Sequence, residues 1–217
     1  MLANKTTESM EDMRIYQYST RIFKLGLLLW NRIKIYGADN VPDKGGVMIV
    51  SNHASYLDPP IVGVGYRKRP VHFMARDSLW KRGFGAWWMD GVGCIPVKRD
   101  EGDIRAIKLA IKSLQEKKVI GIFPEGTRSD DGNLQSAKSG IGLIIEKSEC
   151  NVIPAYIDGS FQALPKGAKW VKPNDISISF GLPISPDTFK SLGEGRKAYG
   201  AYVSFIMDRI KCLRDTE

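Results

Sequence analysis

At 217 residues, 43% hydrophobic and 26% charged, the chain can bury one substantial core, and its apolar content excludes general disorder. A formal net charge of +8 calls for an anionic partner: nucleic acid, acidic lipid headgroups or a polyanionic substrate. Three widely spaced cysteines (Cys94, Cys150, Cys212), no Cys-x-x-Cys pair and only two histidines argue for a reducing compartment, without a disulfide framework or a zinc site.

In chain order, Met1 to Asp12 is polar and lacks the apolar stretch of a cleavable signal. From Met13 to Tyr36, Ile15, Ile22, Leu25, Leu29 and Ile33 recur at helical spacing among Arg14, Arg21, Lys24, Arg32 and Lys34. The longest apolar stretch, Leu25 to Trp30, falls far short of the roughly 20 residues a spanning helix needs. The pattern suits an interfacial amphipathic helix with Tyr16, Tyr18, Phe23 and Trp30 at headgroup level, or a helix laid on the protein's own core. The basic charge favours the membrane. The turn-rich break Asn40 to Gly46 sets off this segment, residues 1–40, from a single larger unit, residues 41–217.

Beyond the break, apolar runs alternate with amphipathic ones. Strands are expected at Val47 to Ser51, Val71 to Ala75, Val119 to Phe123, Val152 to Ile157 and Ile176 to Phe180, and a strand at Gly93 to Val97 leads into Lys98-Arg99. Helices are expected from about Pro59, along the face Ile104, Ile107, Ile111 and Leu114 with Asp103 as its cap, at Gly140 to Lys147 and from Arg196 to Leu213. This alternation implies an α/β fold, a mixed and mostly parallel sheet flanked by helices, preceded by the N-terminal amphipathic helical segment.

Two stretches carry chemistry. His53 directly follows a buried strand and has a carboxylate, Asp58, five positions on. Imidazole is the side chain best suited to move a proton near neutral pH, and a carboxylate that orients it makes it a general base. Asp58 also precedes Pro59, which gives it a competing use as a helix cap. His72, inside a strand, reads as structural. The turn Glu125-Gly126-Thr127-Arg128 follows another buried strand: Gly126 permits a backbone that exposes N–H groups, and Arg128 offers a planar fork for a phosphate. Lys138 and Arg99 are further cations for the same anion site. Trp80, Phe84, Trp87 and Trp88 form an aromatic stretch that suits the wall of an acyl groove or a membrane contact as well as ordinary core.

In order and spacing these residues resemble the glycerolipid acyltransferases typified by 1-acylglycerol-3-phosphate acyltransferase. Asn52, His53, Ser55 and Asp58 match the Asn-His-x-Ser-x-x-Asp block, and Phe123 to Ser129 match Phe-Pro-Glu-Gly-Thr-Arg-Ser without a gap. Gly93 through Arg99, Val152 to Ala155 and Phe180 to Ile184 fit looser blocks, so the likeness runs from about residue 35 to 185. It implies a fatty acyl group moved from a thioester to the free hydroxyl of 1-acyl-sn-glycerol-3-phosphate, giving phosphatidic acid by direct attack, with His53 and Asp58 catalytic. Arg99, Glu125, Gly126, Thr127, Arg128 and Lys138 would hold the acceptor. No cofactor or metal is expected, with acyl-coenzyme A or an acyl carrier protein as co-substrate. The expected partner is a membrane surface on its cytoplasmic face, bound peripherally or monotopically, and not nucleic acid. Glycerol-3-phosphate, another lysophospholipid, an acylated glycan or an amino-acid lipid are alternative acceptors, and a basic non-catalytic lipid- or nucleic-acid-binding module is the alternative of another class.

Overall fold

The computed structural model of the chain describes residues 10–80, 83–98 and 104–215. Its strands are β1 (Lys34–Tyr36), β2 (Val47–Ser51), β3 (Val71–Arg76), β4 (Ile95–Val97), β5 (Val119–Ile122), β6 (Asn151–Asp158) and β7 (Ser177–Phe180). The helices are α1 (Met10–Asn31), α2 (Asp58–Gly65), α3 (Gly83–Gly91), α4 (Ile104–Gln115), α5 (Gly140–Ser148), α6 (Ser160–Ala163), α7 (Pro186–Ser191) and α8 (Tyr199–Arg214). Among the described residues the strands make one sheet in the order β1-β7-β6-β2-β5-β3-β4. Every neighbouring pair is parallel except β6 with β7.

β2 is buried along its whole length because both faces of the sheet are covered. Its side chains alternate: Met48 and Val50 join a core with α4, α5 and α8, whereas Val47 and Ile49 join one with α1 and α2. The closing helix α8 presents Tyr202, Ile206 and Ile210, four residues apart, to the first of these cores.

Two expectations shift. The N-terminal helix ends at Asn31, and Lys34–Tyr36 forms an edge strand against β7 instead of its last turn. Ile104 is 66% exposed; α4 packs through Ala106, Ala110 and Leu114, with Ile107 and Ile111 partly buried. Small alanines let this helix sit close to the sheet, and a hydropathy pattern weighted by large side chains overlooks them. Asp103 lies outside the described residues.

α1 lies on the protein's own core along one face and leaves another exposed. Tyr16 and Leu27 are buried, and the Tyr16 hydroxyl accepts from the N–H of Val71 at 3.1 Å, so one face docks on the domain. Tyr18, Ile22, Leu25 and Leu29 form an outward stripe at helical spacing, all exposed. No described helix is long and apolar enough to cross a membrane.

The sheet order fixes where a ligand can enter. β2 and β5 are parallel neighbours, with Val50 beside Ile122. From β2 the chain continues through α2 to β3, on the β5 side; from β5 it continues through α5 to β6, on the β2 side. α2 and α5 also belong to opposite cores, so the two connections part and leave a crevice at the strands' C-terminal ends, where open α/β sheets bind ligands.

Candidate active site

The loop after β2 is tied down by its polar residues. Asn52 donates from Nδ2 to the Ile157 carbonyl at 2.9 Å and accepts the Ile157 N–H at 2.8 Å, sewing the end of β2 to β6. Ser55 Oγ donates to the Leu164 carbonyl at 2.9 Å and accepts from the Leu57 N–H at 3.1 Å. Between these pins stands His53, with 17% of its side chain exposed.

Asp58 is completely buried, and its Oδ2 accepts from His53 Nδ1 at 2.8 Å and from the N–H groups of Ala54 and Ser55, each at 2.7 Å. It sits in the first turn of α2, whose N-cap is Leu57, so it does not cap that helix; it holds the histidine loop. With Nδ1 donating to the carboxylate, Nε2 is left as the basic nitrogen. Asp58 Oδ1 is buried with no hydrogen-bond partner.

An aromatic stack supports the ring from the side. Phe123 lies 4.1 Å from the His53 ring at 16°, and Phe73 lies 5.8 Å from Phe123 at 9°. Phe73 can reach across because its partner on β5 is Gly121, where a Cβ would come 2.2 Å from the Phe73 ring.

The turn after β5 wraps the same loop. Ser129 donates its N–H to the His53 carbonyl at 2.8 Å, and His53 donates its own N–H to Glu125 Oε1 at 3.2 Å. Gly126 closes the turn with a bond to Phe123 O at 3.1 Å and has φ +72°, a left-handed backbone that favours glycine. A Cβ at Gly126 would lie 2.8 Å from Lys138 Nζ, so the lysine ammonium rests on the turn, while Thr127 is exposed. The Arg128 guanidinium sits over Tyr56, its central carbon 3.5 Å from the ring centre, with one nitrogen buried and without a partner.

Glu125 is buried and pushed up to about 7, above all by burial; the His53 N–H bond opposes that shift and the nearby Asp58 charge reinforces it. Its Oε2 has no partner.

The structure therefore brings His53, Asp58, Glu125, Gly126, Arg128 and Lys138 together. Arg99 lies outside the described residues. Of the aromatic quartet, Trp88 Nε1 donates to Ser19 Oγ at 2.9 Å and its ring meets Phe23, Trp80 Nε1 donates to Asp90 at 2.8 Å, and Phe84 packs on Trp87. None of these contacts is with His53. His72 is a buried strand residue whose Nδ1 donates to Gly93 O at 2.9 Å. No described cluster of histidine, cysteine and carboxylate side chains could hold a metal ion. Sequence reasoning passed over Tyr56 and gave Phe123 no role, although both lie inside the two specific blocks.

Chemically, the arrangement offers a carboxylate-backed imidazole on a loop bonded to the turn that carries Arg128 and Lys138. Over 202 residues the chain is 27% identical to the 1-acyl-sn-glycerol-3-phosphate acyltransferase of Bacillus subtilis, 93% of this chain and 98% of that protein. It is 28% identical over 155 residues to the chloroplastic 1-acyl-sn-glycerol-3-phosphate acyltransferase LPAT1 of Arabidopsis thaliana, 66% of this chain but 43% of that longer protein. The crystal structure of the 1-acyl-sn-glycerophosphate (LPA) acyltransferase PlsC from Thermotoga maritima superposes with a TM-score of 0.72 at 26% identity, over 97% of this chain and 84% of that one. A family model described as Acyltransferase matches residues 32–158, more than half of the chain and both loops of the site. By sequence and by fold, the chain belongs to the acyltransferase family.

Proposed function

We propose that this enzyme acylates the free hydroxyl of 1-acyl-sn-glycerol-3-phosphate at a membrane surface, using an acyl thioester as donor and His53 as general base. The observation that carries the proposal is the 2.8 Å bond from His53 Nδ1 to a fully buried carboxylate, in a loop that is itself bonded to the Arg128 turn. Nε2 takes the hydroxyl proton as the oxygen attacks the thioester carbon, and Asp58 offsets the charge gained by the imidazole. The tetrahedral oxyanion collapses, the C–S bond breaks, and the imidazolium returns the proton to the departing thiolate. The products are an ester and a free thiol, with no acyl-enzyme formed.

The unpartnered nitrogen of Arg128 and the Lys138 ammonium suit the acceptor phosphate, and holding it presents the hydroxyl to His53. Burial raises Glu125 to about 7, which lowers its charge beside that phosphate, and its Oε2 is without a partner. Relatives that act on 1-acyl-sn-glycerol-3-phosphate favour this acceptor. The exposed stripe on α1 and the net charge of +8 support work at a lipid surface.

The test is thiol release from palmitoyl-coenzyme A, or from a palmitoylated carrier protein, with detergent-dispersed 1-acylglycerol-3-phosphate. Release should require the acceptor and fall by about a thousandfold or more in His53→Ala. Acceptor-dependent release that persists in the variant would overturn the role of His53. No release with either donor would overturn the proposed reaction.

A further inference from the structure

We propose that the β6–β7 connection is a second bilayer contact, with Trp170 as its anchor and lysines that select anionic headgroups. It rests on the reading that the enzyme works at a membrane surface. Trp170 is 82% exposed, more than any other large hydrophobic side chain described, and Val171 beside it is exposed as well. An indole is costly to leave in water and is at home at a headgroup boundary.

The backbone under it is fixed. Lys172 donates its N–H to Ala163 O at 2.8 Å, and Ala168 donates to Pro165 O at 3.0 Å. Trp30 Nε1 donates to Val171 O at 3.1 Å, and Asn31 Nδ2 donates to Lys172 O at 3.0 Å. The indole is thus presented on a braced loop, with its ordering cost largely met before contact. The same bonds join it to the end of α1, where Leu29 and Trp30 are exposed, so the end of the helix stripe lies beside the loop.

Charge names the partner. Lys169 and Lys172 flank the indole and are exposed, and the acids nearby, Asp130 and Asp175, are occupied by Lys166 at 2.6 Å and Arg32 at 2.7 Å. An apolar tip ringed by cations complements an anionic bilayer. The loop also reaches the chemistry: Leu164 accepts from Ser55 in the histidine loop, and Lys166 pairs with Asp130 just past Ser129. Seating Trp170 therefore fixes the height of His53 above the headgroups.

The experiment is sedimentation of the full chain with phosphatidylcholine vesicles containing about 30% phosphatidylglycerol, comparing wild type, Trp170→Ala, Trp170→Phe and Lys169→Glu/Lys172→Glu. Partitioning should fall about tenfold in Trp170→Ala and be largely kept in Trp170→Phe. It should fall at least about fivefold per lysine in the charge-reversed variant. Turnover of acceptor embedded in those vesicles should fall in parallel, while turnover of detergent-dispersed acceptor stays at the wild-type level. If Trp170→Ala and the charge-reversed variant partition like wild type while Leu25→Glu/Leu29→Glu on α1 detaches, the loop proposal is overturned and the membrane reading stands. If wild type does not sediment with vesicles, both fall. Unchanged sedimentation with a selective loss of carrier-protein-supported turnover would make the loop a docking surface for that acidic protein instead, and would overturn the proposal.

Discussion

Replacing Asp58 by asparagine removes a charge at nearly constant volume, and the geometry sets the expected cost. Oδ2 receives His53 Nδ1, Ala54 N–H and Ser55 N–H at 2.7–2.8 Å, and an amide oxygen in the same place can still accept all three. The loop should therefore keep its shape. What is lost, in the proposed mechanism, is the attraction between the carboxylate and the imidazolium formed as His53 takes its proton. Two charges centred about 4 Å apart, at an effective dielectric of about 20, attract by about 4 kcal/mol. Since about 1.4 kcal/mol is a factor of ten in rate, kcat should fall about a thousandfold with KM little changed. The amide nitrogen would take the place of Oδ1, which is buried without a partner, at a cost of about 1–3 kcal/mol in stability. Thiol-release kinetics and urea unfolding of Asp58→Asn measure the two effects separately. A folded variant that loses less than about tenfold in kcat would refute the catalytic coupling and leave Asp58 as a structural anchor.

Tyr56 should act through Arg128. Tyr56→Leu removes the ring beneath the guanidinium and is expected to raise KM for the phosphate-bearing acceptor about three- to twentyfold with kcat nearly unchanged, while Tyr56→Phe keeps the ring face and wild-type kinetics. Equal behaviour of the two variants would remove that role. Burial raises Glu125 from 4.5 to about 7, so between those values the native state holds a proton that the unfolded chain has released. Stability should therefore fall as pH rises through that window, and Glu125→Gln, which cannot ionise, should flatten the slope of Tm against pH; parallel slopes would contradict it. Gly121→Ala would set a Cβ 2.2 Å from the Phe73 ring and is expected to cost about 1–3 kcal/mol in urea unfolding, whereas a change below about 0.5 kcal/mol would show that the Phe73–Phe123–His53 stack yields freely.

Local sequence was enough for the elements whose signals lie within a few residues. β2, β5 and β6 read as buried strands because both their faces are covered, and α8 announced itself by apolar residues one turn apart. His53 and Asp58 were legible as a pair because only four residues separate them and keep them in reach of each other, and Gly126 marked its turn through a φ other residues avoid. The same local signals misled at Ile104, where large side chains outweighed the alanines that pack, and they carried the first helix into what became β1, a three-residue edge strand held by β7 about 140 positions away. Tertiary structure alone decided the rest. Placing β5 beside β2 is what sets Ser129 on the His53 carbonyl, Phe123 on its ring and Arg128 over Tyr56. It also decided which face of α1 is buried and which is left to solvent, and it joined Trp30 to the Trp170 loop. A periodic pattern states that an element has an apolar face, but only the neighbours that cover it determine which polar groups meet across the sheet.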